Sequence, residues 1–435
     1  MKKIRLYIIL LFCFILLCAC EQGKTQPAPV TGSRAQEKSR EDIVLDASGK
    51  AVSDEKKPES DDTIKIPVSK STEDKLPAPV EDTEEPENSF EGYVLGEEDV
   101  SENGVYLKST AENGVVRIDF AGDINFDDRY ANMNTLRNRG NGIEGCIDAS
   151  LLKRTNSADI FMINNEFPYS KRGTPTPNKK FTFRAKPETV SFLLDQGADI
   201  VSLANNHAYD HGPDALLDTF DTLNEAGIPY VGAGHNIDEA EKPVYFIAGG
   251  MKIAFVSATQ IERSLPPDTK EATETEPGVL RTLEPERFLS VIRKAEDNSD
   301  FVIVYVHWGS ENVNKYEAAQ TELAKAYVEA GADLIIGDHP HVLQGIEYIN
   351  DTPVFYSLGN YWFSSKTLDN CLVEAVIKDK SIETLQFIPC MQINCSAREL
   401  PKGSADYDRV LNNMREWSTD NVTIDPDGYI KKNTE

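Results

Sequence analysis

Positive charge is scarce in this sequence: 45 Lys and Arg stand against 72 Asp and Glu over 435 residues, a formal net charge of −27. An excess of that size repels phosphate backbones and argues against a nucleic-acid partner. Apolar length is scarce too. The run from Leu6 to Ala19 is 14 residues, too short for a comfortable membrane span. Of seven cysteines, three precede residue 21, which leaves Cys146, Cys371, Cys390 and Cys395. None has the close Cys-x-x-Cys spacing of a zinc ribbon; outside the cytoplasm they have three possible disulfide pairings, with buried free thiols as the alternative. No internal repeat is present.

What is there begins with a basic Met1-Lys-Lys-Ile-Arg followed by that short apolar run, the pattern of an export signal. It ends Leu17-Cys18-Ala19-Cys20, which resembles a bacterial lipoprotein cleavage motif. Residues 1–20 are therefore expected to be a lipoprotein signal peptide, with lipidated Cys20 anchoring the chain to the outer face of the cell membrane. Residues 21–113 hold 23 acidic and 11 basic residues with few aromatics and repeated Pro, Ser and Thr. Such a stretch buries too little apolar surface to offset its ordering entropy, and we expect a disordered acidic linker. The remaining residues carry a net −18. They suffice for one large α/β domain, expected over 114–400, with a C-terminal extension over 401–435.

Within that domain strand-like and helix-like patterns alternate. Helices are predicted over 148–158, 186–196, 213–226, 285–297 and 316–329, most of them bounded by a leading Pro or a closing Gly. Residues 244–248 and 252–258 read as a hairpin, and 262–278 as a long polar loop near the site. The tail turns β-rich over 353–358, 371–378 and 382–388. Alternation first and antiparallel pairs later predict a mixed sheet, or two packed sheets, with helices outside.

The chemistry sits at the strand tips. The apolar runs starting at Val115, Ile160, Ile200, Phe301 and Leu334 end in Asp123, Asn164-Asn165-Glu166, Asn205-Asn206-His207, His307 and Asp338-His339-Pro340-His341. Continuous apolar runs are strands buried on both faces, and open α/β sheets bind ligands beyond their carboxyl ends. Imidazole, carboxylate and amide oxygens converging there suit a divalent transition metal, with Mn, Zn and Fe as candidates and one or two ions accommodated. In Asn205-Asn206-His207-Ala-Tyr-Asp210-His211-Gly212, His207 is placed to donate a proton and Asp210 to fix its tautomer. His211 and His235 are read as surface or loop residues. In the turn Gly337-Asp338-His339-Pro340-His341, two histidines one residue apart can address neighbouring metals or two positions of one, and Pro340 fixes the geometry.

The ordered set Gly-Asp123, Asn-Glu166-x-Pro168, Asn205-Asn206-His207-x-x-Asp210-x-Gly212, His307-Trp308-Gly309, His339-Pro340-His341-Val342 and Ser357-Leu358-Gly359-Asn360 resembles the capsule-synthesis CapA family. That family is associated with poly-γ-glutamate capsules and is related to the calcineurin-like metallophosphatases. The resemblance covers about residues 115–365. It implies an α/β/β/α metallophosphatase-like sandwich with mixed sheets. It also implies that Asp123 and His341 hold one metal, that Asn206, His307 and His339 hold a second, that Glu166 bridges them and that His207 protonates a leaving group. Asn125, Asn165, Asn205, Trp308, Asp338 and Asn360 are expected to line the pocket. Two departures stand out: Asp123-Ile124-Asn125 replaces the phosphatases' Asp-x-His, and Glu166 replaces a bridging Asp. Asn125 is a poorer ligand than imidazole, which weakens the first metal position.

The leading expectation is a membrane-tethered, metal-dependent hydrolase acting outside the cell on a phosphoester or on a γ-glutamyl bond of an anionic polymer. The rival from another class is a non-catalytic metal-binding subunit of a complex that synthesises or exports such a polymer. A purely structural protein ranks third, having no use for so many strand-end histidines.

Overall fold

The computed structural model describes residues 104–261 and 269–433; the expected signal peptide, Cys20 and nearly all of the expected linker lie outside the described residues. In chain order the strands are β1 (Val105–Lys108), β2 (Val115–Ile124), β3 (Ile160–Asn165), β4 (Ile200–Ser202), β5 (Tyr230–Val231), β6 (Ala233–Gly234), β7 (Val244–Ala248), β8 (Met251–Thr259), β9 (Gly278–Val279) and β10 (Phe301–His307). They continue as β11 (Leu334–Asp338), β12 (Leu343–Ile349), β13 (Thr352–Leu358), β14 (Asn360–Trp362), β15 (Leu368–Lys378), β16 (Ser381–Ile393), β17 (Ser396–Glu399), β18 (Val422–Ile424) and β19 (Ile430–Lys432).

Two large mixed sheets result. One has the order β1-β7-β8-β10-β11-β13-β12, and the other β17-β16-β15-β2-β3-β4-β5 with β14 also paired to β2. In the first, β8, β10, β11 and β13 are parallel; in the second, β2 to β5 are. β3, β10 and β11 read as apolar runs up to their polar tips because both faces are covered, whereas β2 carries Arg117 and Asp119. β10, Phe-Val-Ile-Val-Tyr-Val-His, is buried at every position.

The inner faces meet in one core that includes Ile118, Phe120, Met162 and Ile200 on one side and Phe255, Ile303, Tyr305 and Ile336 on the other. Tyr305 donates to the Ala121 carbonyl (2.7 Å), and the Ser202 and Ser257 hydroxyls meet at 2.8 Å, so polar contacts also tie the sheets together near their carboxyl ends. Outside the second sheet lie α1 (Ala131–Arg139), α2 (Ala149–Ser157), α3 (Ser191–Asp195) and α4 (Pro213–Ala226), burying Leu136, Leu151, Leu193 and Phe220 among others. The short α5 (Ile237–Ala240) precedes β7. Outside the first sheet, α6 (Glu286–Glu296) and α7 (Ala318–Glu329) bury Phe288, Ile292, Ala324 and Tyr327. The layers are α/β/β/α, as the resemblance implied.

Local chemistry fixes the helix ends. Asp148 caps α2 by accepting from the amides of Ser150 and Leu151. Pro213 opens α4 and Gly227, at φ 71°, closes it. α7 starts on a capping box between Glu317 and Gln320, two residues later than the apolar pattern predicts. The helix predicted over 186–196 is a 3-10 turn at Pro187–Val190 running into α3.

Two domain edges differ from expectation. β1 pairs in parallel with β7, from Val105 opposite Tyr245 to Lys108 opposite Ala248, so the sheet recruits residues assigned to the acidic linker. The stretch 401–433 is part of the core rather than an appendage. Its helix α8 (Ala405–Trp417) buries Tyr407, Val410, Leu411 and Met414 in the inter-sheet cluster, which Ile424 and Ile430 join. All four cysteines after residue 104 are buried free thiols.

Candidate metal centre

Parallel strands bring their carboxyl ends to one side. Register places Asp123 beside Asn164 and Asn360, and His307 beside Asp338, while the sandwich sets these two groups face to face. His307 Nε2 lies 2.8 Å from Asn206 Oδ1, 3.0 Å from His339 Nδ1 and 3.6 Å from Glu166 Oε1. His341 Nδ1 lies 3.0 Å from Asp123 Oδ2, 2.8 Å from Asn360 Oδ1 and 4.0 Å from Glu166 Oε2. Donor atoms about 3 Å apart match neighbouring ligands around a cation with bonds of about 2.1 Å. Glu166, His307 and His339 form one set of closely spaced ligand atoms, and Asp123, Glu166 and His341 another.

Glu166 is the test of whether a cation fits. Its side chain is fully buried, and neither carboxylate oxygen has a hydrogen-bond partner. Burial first, then the negative charges of Asp123 and Asp338, push its pKa well above the ordinary carboxylate range. A buried, unpartnered carboxylate is costly unless charge of the opposite sign joins it. With one oxygen toward each donor set, two divalent ions meet that need, and the residues fit them.

The imidazoles are oriented from behind. His307 Nδ1 pairs with Asp338 Oδ1 at 2.8 Å, leaving Nε2 for the centre, the usual carboxylate–histidine–metal arrangement. Burial lowers the His307 pKa to about 3 despite the nearby Asp123, so the ring is neutral and its lone pair available. His341 also feels burial, but its hydrogen bond to Asp123 and that residue's charge win, and its pKa rises. His339 and His341 both sit at positive φ, 93° and 59°. For non-glycine residues such backbones cost on the order of 1–3 kcal/mol each and cluster at functional sites.

His207 faces the same centre, with Nε2 3.9 Å from Glu166 Oε1 and Nδ1 2.6 Å from Asp210 Oδ2. Burial lowers its pKa, and the Asp210 charge works in the other direction. Phe183 covers the ring at a centroid distance of 4.1 Å.

Several expected lining residues do other work. Trp308 points to the outer face, where its indole donates to the Tyr356 carbonyl (2.9 Å) among the residues under α7, because strand alternation sends it away from His307. Asn165 donates to the Phe167 carbonyl and Asn125 accepts from the Asp127 amide, so both shape turns. Asn205 braces the site, donating to Asn164 Oδ1 and accepting from the His207 amide. Asp338 stands behind His307, while Asn360 reaches His341 itself. His211, read as a surface residue, is buried with both ring nitrogens unpartnered, and burial lowers its pKa to about 4. His235 is exposed and pairs with Glu239.

Asn164, already part of the polar tip of β3, and three residues from irregular segments complete the site. Asn164 donates to Asp123 Oδ1 (2.8 Å); standing two positions before Glu166 in one polar burst, it was legible by strand parity. Lys179, Phe183 and Phe363 come from irregular segments with no periodic signal to expose them.

Residues 117–365 match the family described as bacterial capsule synthesis protein PGA_cap. The chain belongs to this family. It is 37% identical over 243 residues to the capsule biosynthesis protein CapA of Bacillus anthracis, covering 54% of this chain and 58% of that one. It is 31% identical over 285 residues to the PGA biosynthesis protein CapA of Bacillus subtilis strain 168, covering 64% and 72%. The match thus spans less than two thirds of the Bacillus anthracis relative's length. Among solved structures, TT1561 of Thermus thermophilus aligns over 61% of this chain and 99% of its own at 12% identity, with a TM-score of 0.35.

Proposed function

We propose that this chain is a CapA-type protein of capsule polymer synthesis or processing, held outside the cell through lipidated Cys20, and that its strand-end centre is a metal-dependent hydrolase. The substrate is a phosphoester or a γ-glutamyl bond of an anionic polymer such as poly-γ-glutamate. The observation that carries the hydrolytic part is Glu166, a buried carboxylate with both oxygens unpartnered between two sets of imidazole, amide and carboxylate donors. Asp123, His341 and Asn360 would hold one divalent ion, Asn206, His307 and His339 the other, and Glu166 would bridge them. When bound, such ions lower the pKa of water and polarise the scissile group.

The protein's own part is positional. Asp338 and Asn164 orient His307 and Asp123 from behind. Asp210 holds the His207 proton on Nδ1, so that Nε2 faces the centre and exchanges a proton with the reacting group. Phe183 and Phe363, edge to face at 5.3 Å, lie against His207 and His341 and keep bulk water from both rings.

The purified protein is assayed for bound metals and then for turnover of generic phosphoesters and of poly-γ-glutamate, beside His207→Ala. Metal-dependent turnover that falls about 10²–10⁴-fold in the variant is the expected result. A second reading, a non-catalytic metal-holding subunit for polymer synthesis or export, draws on how little of the site reaches solvent: the His207 side chain is 7% exposed and His341 17%. A metal-loaded protein inert on both substrates yet required for polymer in cells would favour it. A protein that binds no divalent ion would sink both.

A further inference from the structure

We propose that Lys179 is a positioning residue of this centre: its ammonium, paired with Asp210, locks the His207 imidazole in one tautomer and one orientation. Lys179 lies in the irregular stretch between β3 and the 3-10 turn at Pro187–Val190, yet its side chain is only 5% exposed. Its Nζ lies 2.6 Å from Asp210 Oδ1 and also donates to the Asn206 carbonyl. The other Asp210 oxygen, Oδ2, receives the Phe183 amide at 2.7 Å and His207 Nδ1 at 2.6 Å. The hydrogen bonds of this buried carboxylate thus fall on Oδ2, while Oδ1 accepts none and is met by the Lys179 ammonium as an ion pair, the one full positive charge among these partners.

The consequence follows from geometry. With the ammonium on Oδ1 and the Phe183 amide on Oδ2, the Asp210 carboxylate is held as an acceptor facing His207 Nδ1, which places the ring proton there. The lone pair of Nε2 is then left toward Glu166. Remove the ammonium and Oδ1 loses the contact that holds the carboxylate in place, so Asp210 is free to turn from the ring. The ring then loses the acceptor that fixed its proton, and the two tautomers compete. Phe183, its ring tilted over the imidazole at 4.1 Å, restricts the ring plane but carries no acceptor to choose between them. The second bond of Lys179 extends this control, because the Asn206 side chain faces His307 Nε2 at 2.8 Å. One ammonium braces the proton-transfer residue and the backbone of a proposed metal ligand together.

The test reads the ring itself. Full-length protein carrying 15N-histidine is loaded with zinc, and the His207 signals are assigned by their loss in His207→Ala. The wild type is expected to show a protonated Nδ1 and an unprotonated Nε2. Lys179→Met is expected to shift these signals toward the other tautomer or an average, and Lys179→Arg is expected to restore them. Unchanged His207 signals in a folded, metal-loaded Lys179→Met protein would overturn the proposal. If that variant does not fold, Lys179→Gln, which keeps a donor without the charge, is read in the same way with the same two outcomes. A second arm rests on the hydrolytic reading above: kcat is expected to fall about tenfold or more in Lys179→Met with KM little changed. A wild type without turnover defeats that reading alone and leaves the tautomer measurement to decide the role of Lys179.

Discussion

Glu166 and Asp119 show how much electrostatic cost this fold accepts, and for different reasons. Glu166 has its pKa raised by burial and by Asp123, so the metal-free protein should lose stability as pH rises above the ordinary carboxylate range, the folded state then holding the proton more tightly than the unfolded one. Glu166→Gln removes that pH dependence. The metal-free variant is expected to melt several degrees above wild type at pH 8 and close to it at pH 4, while lacking the rise in Tm that divalent ions are expected to give wild type. Calorimetry with and without metal checks both halves. Asp119 lies in β2 opposite Glu374, fully buried with both oxygens unpartnered, and burial, then Glu374, raises its pKa from 3.8 to about 8. Its folded pKa exceeds the unfolded one, so stability is greatest below about pH 4, declines up to about pH 8 and is level beyond. Asp119→Asn should therefore stabilise at pH 8, by up to roughly 5 kcal/mol, and change little at pH 4, as denaturant unfolding at the two pH values would show. Its place far from the strand tips makes this a stability effect with metal content intact.

At the scale of elements, the centre depends on how closely β2 and β14 approach. A Cβ on Gly122 would meet the Gly359 carbonyl oxygen at 1.9 Å, and the Asp123 amide donates to that same oxygen at 3.2 Å. Gly122→Ala must push β14 away, which separates Asn360 from His341 and Asp123. We expect a loss of about 1–3 kcal/mol together with reduced metal binding, measured by thermal melts and by metal content after dialysis. Elements such as β3, β10 and β11 were legible because a strand buried on both faces leaves an unbroken apolar run, and a polar tip interrupts it conspicuously. His307, His339 and His341 stood out for that reason. The side on which each tip residue points was less legible: Trp308, Asn165 and Asn125 adjoin site residues in the chain, but strand alternation and turn geometry send them to the outer core or into their own loops. Lys179 was invisible, since a single lysine in an irregular segment carries no pattern, and only the path of the chain buries it against Asp210.

For the molecule as a whole, the domain edges matter most. Stopping the chain after residue 400 removes Tyr407, Val410, Leu411, Met414, Ile424 and Ile430 from the inter-sheet core. Six such side chains contribute on the order of 10 kcal/mol as an upper estimate, comparable to the whole stability of a typical domain. The truncated protein is expected to be insoluble or to lack a cooperative melt, whereas an isolated appendage would be dispensable; circular dichroism melts separate the two outcomes. By itself the sequence determined the alternation of strands and helices, the apolar runs that become buried parallel strands, and the chemical types gathered at their tips, because periodicity and composition are local properties. Only the tertiary structure decided which tip residues share a centre, that Glu166 stands between two donor sets without a partner, that residues 105–108 join a sheet and that residues 405–430 enter the inter-sheet core. Those outcomes depend on contacts between residues as far apart as Asp123 and His341, and no local pattern encodes the register and layer packing that bring them together.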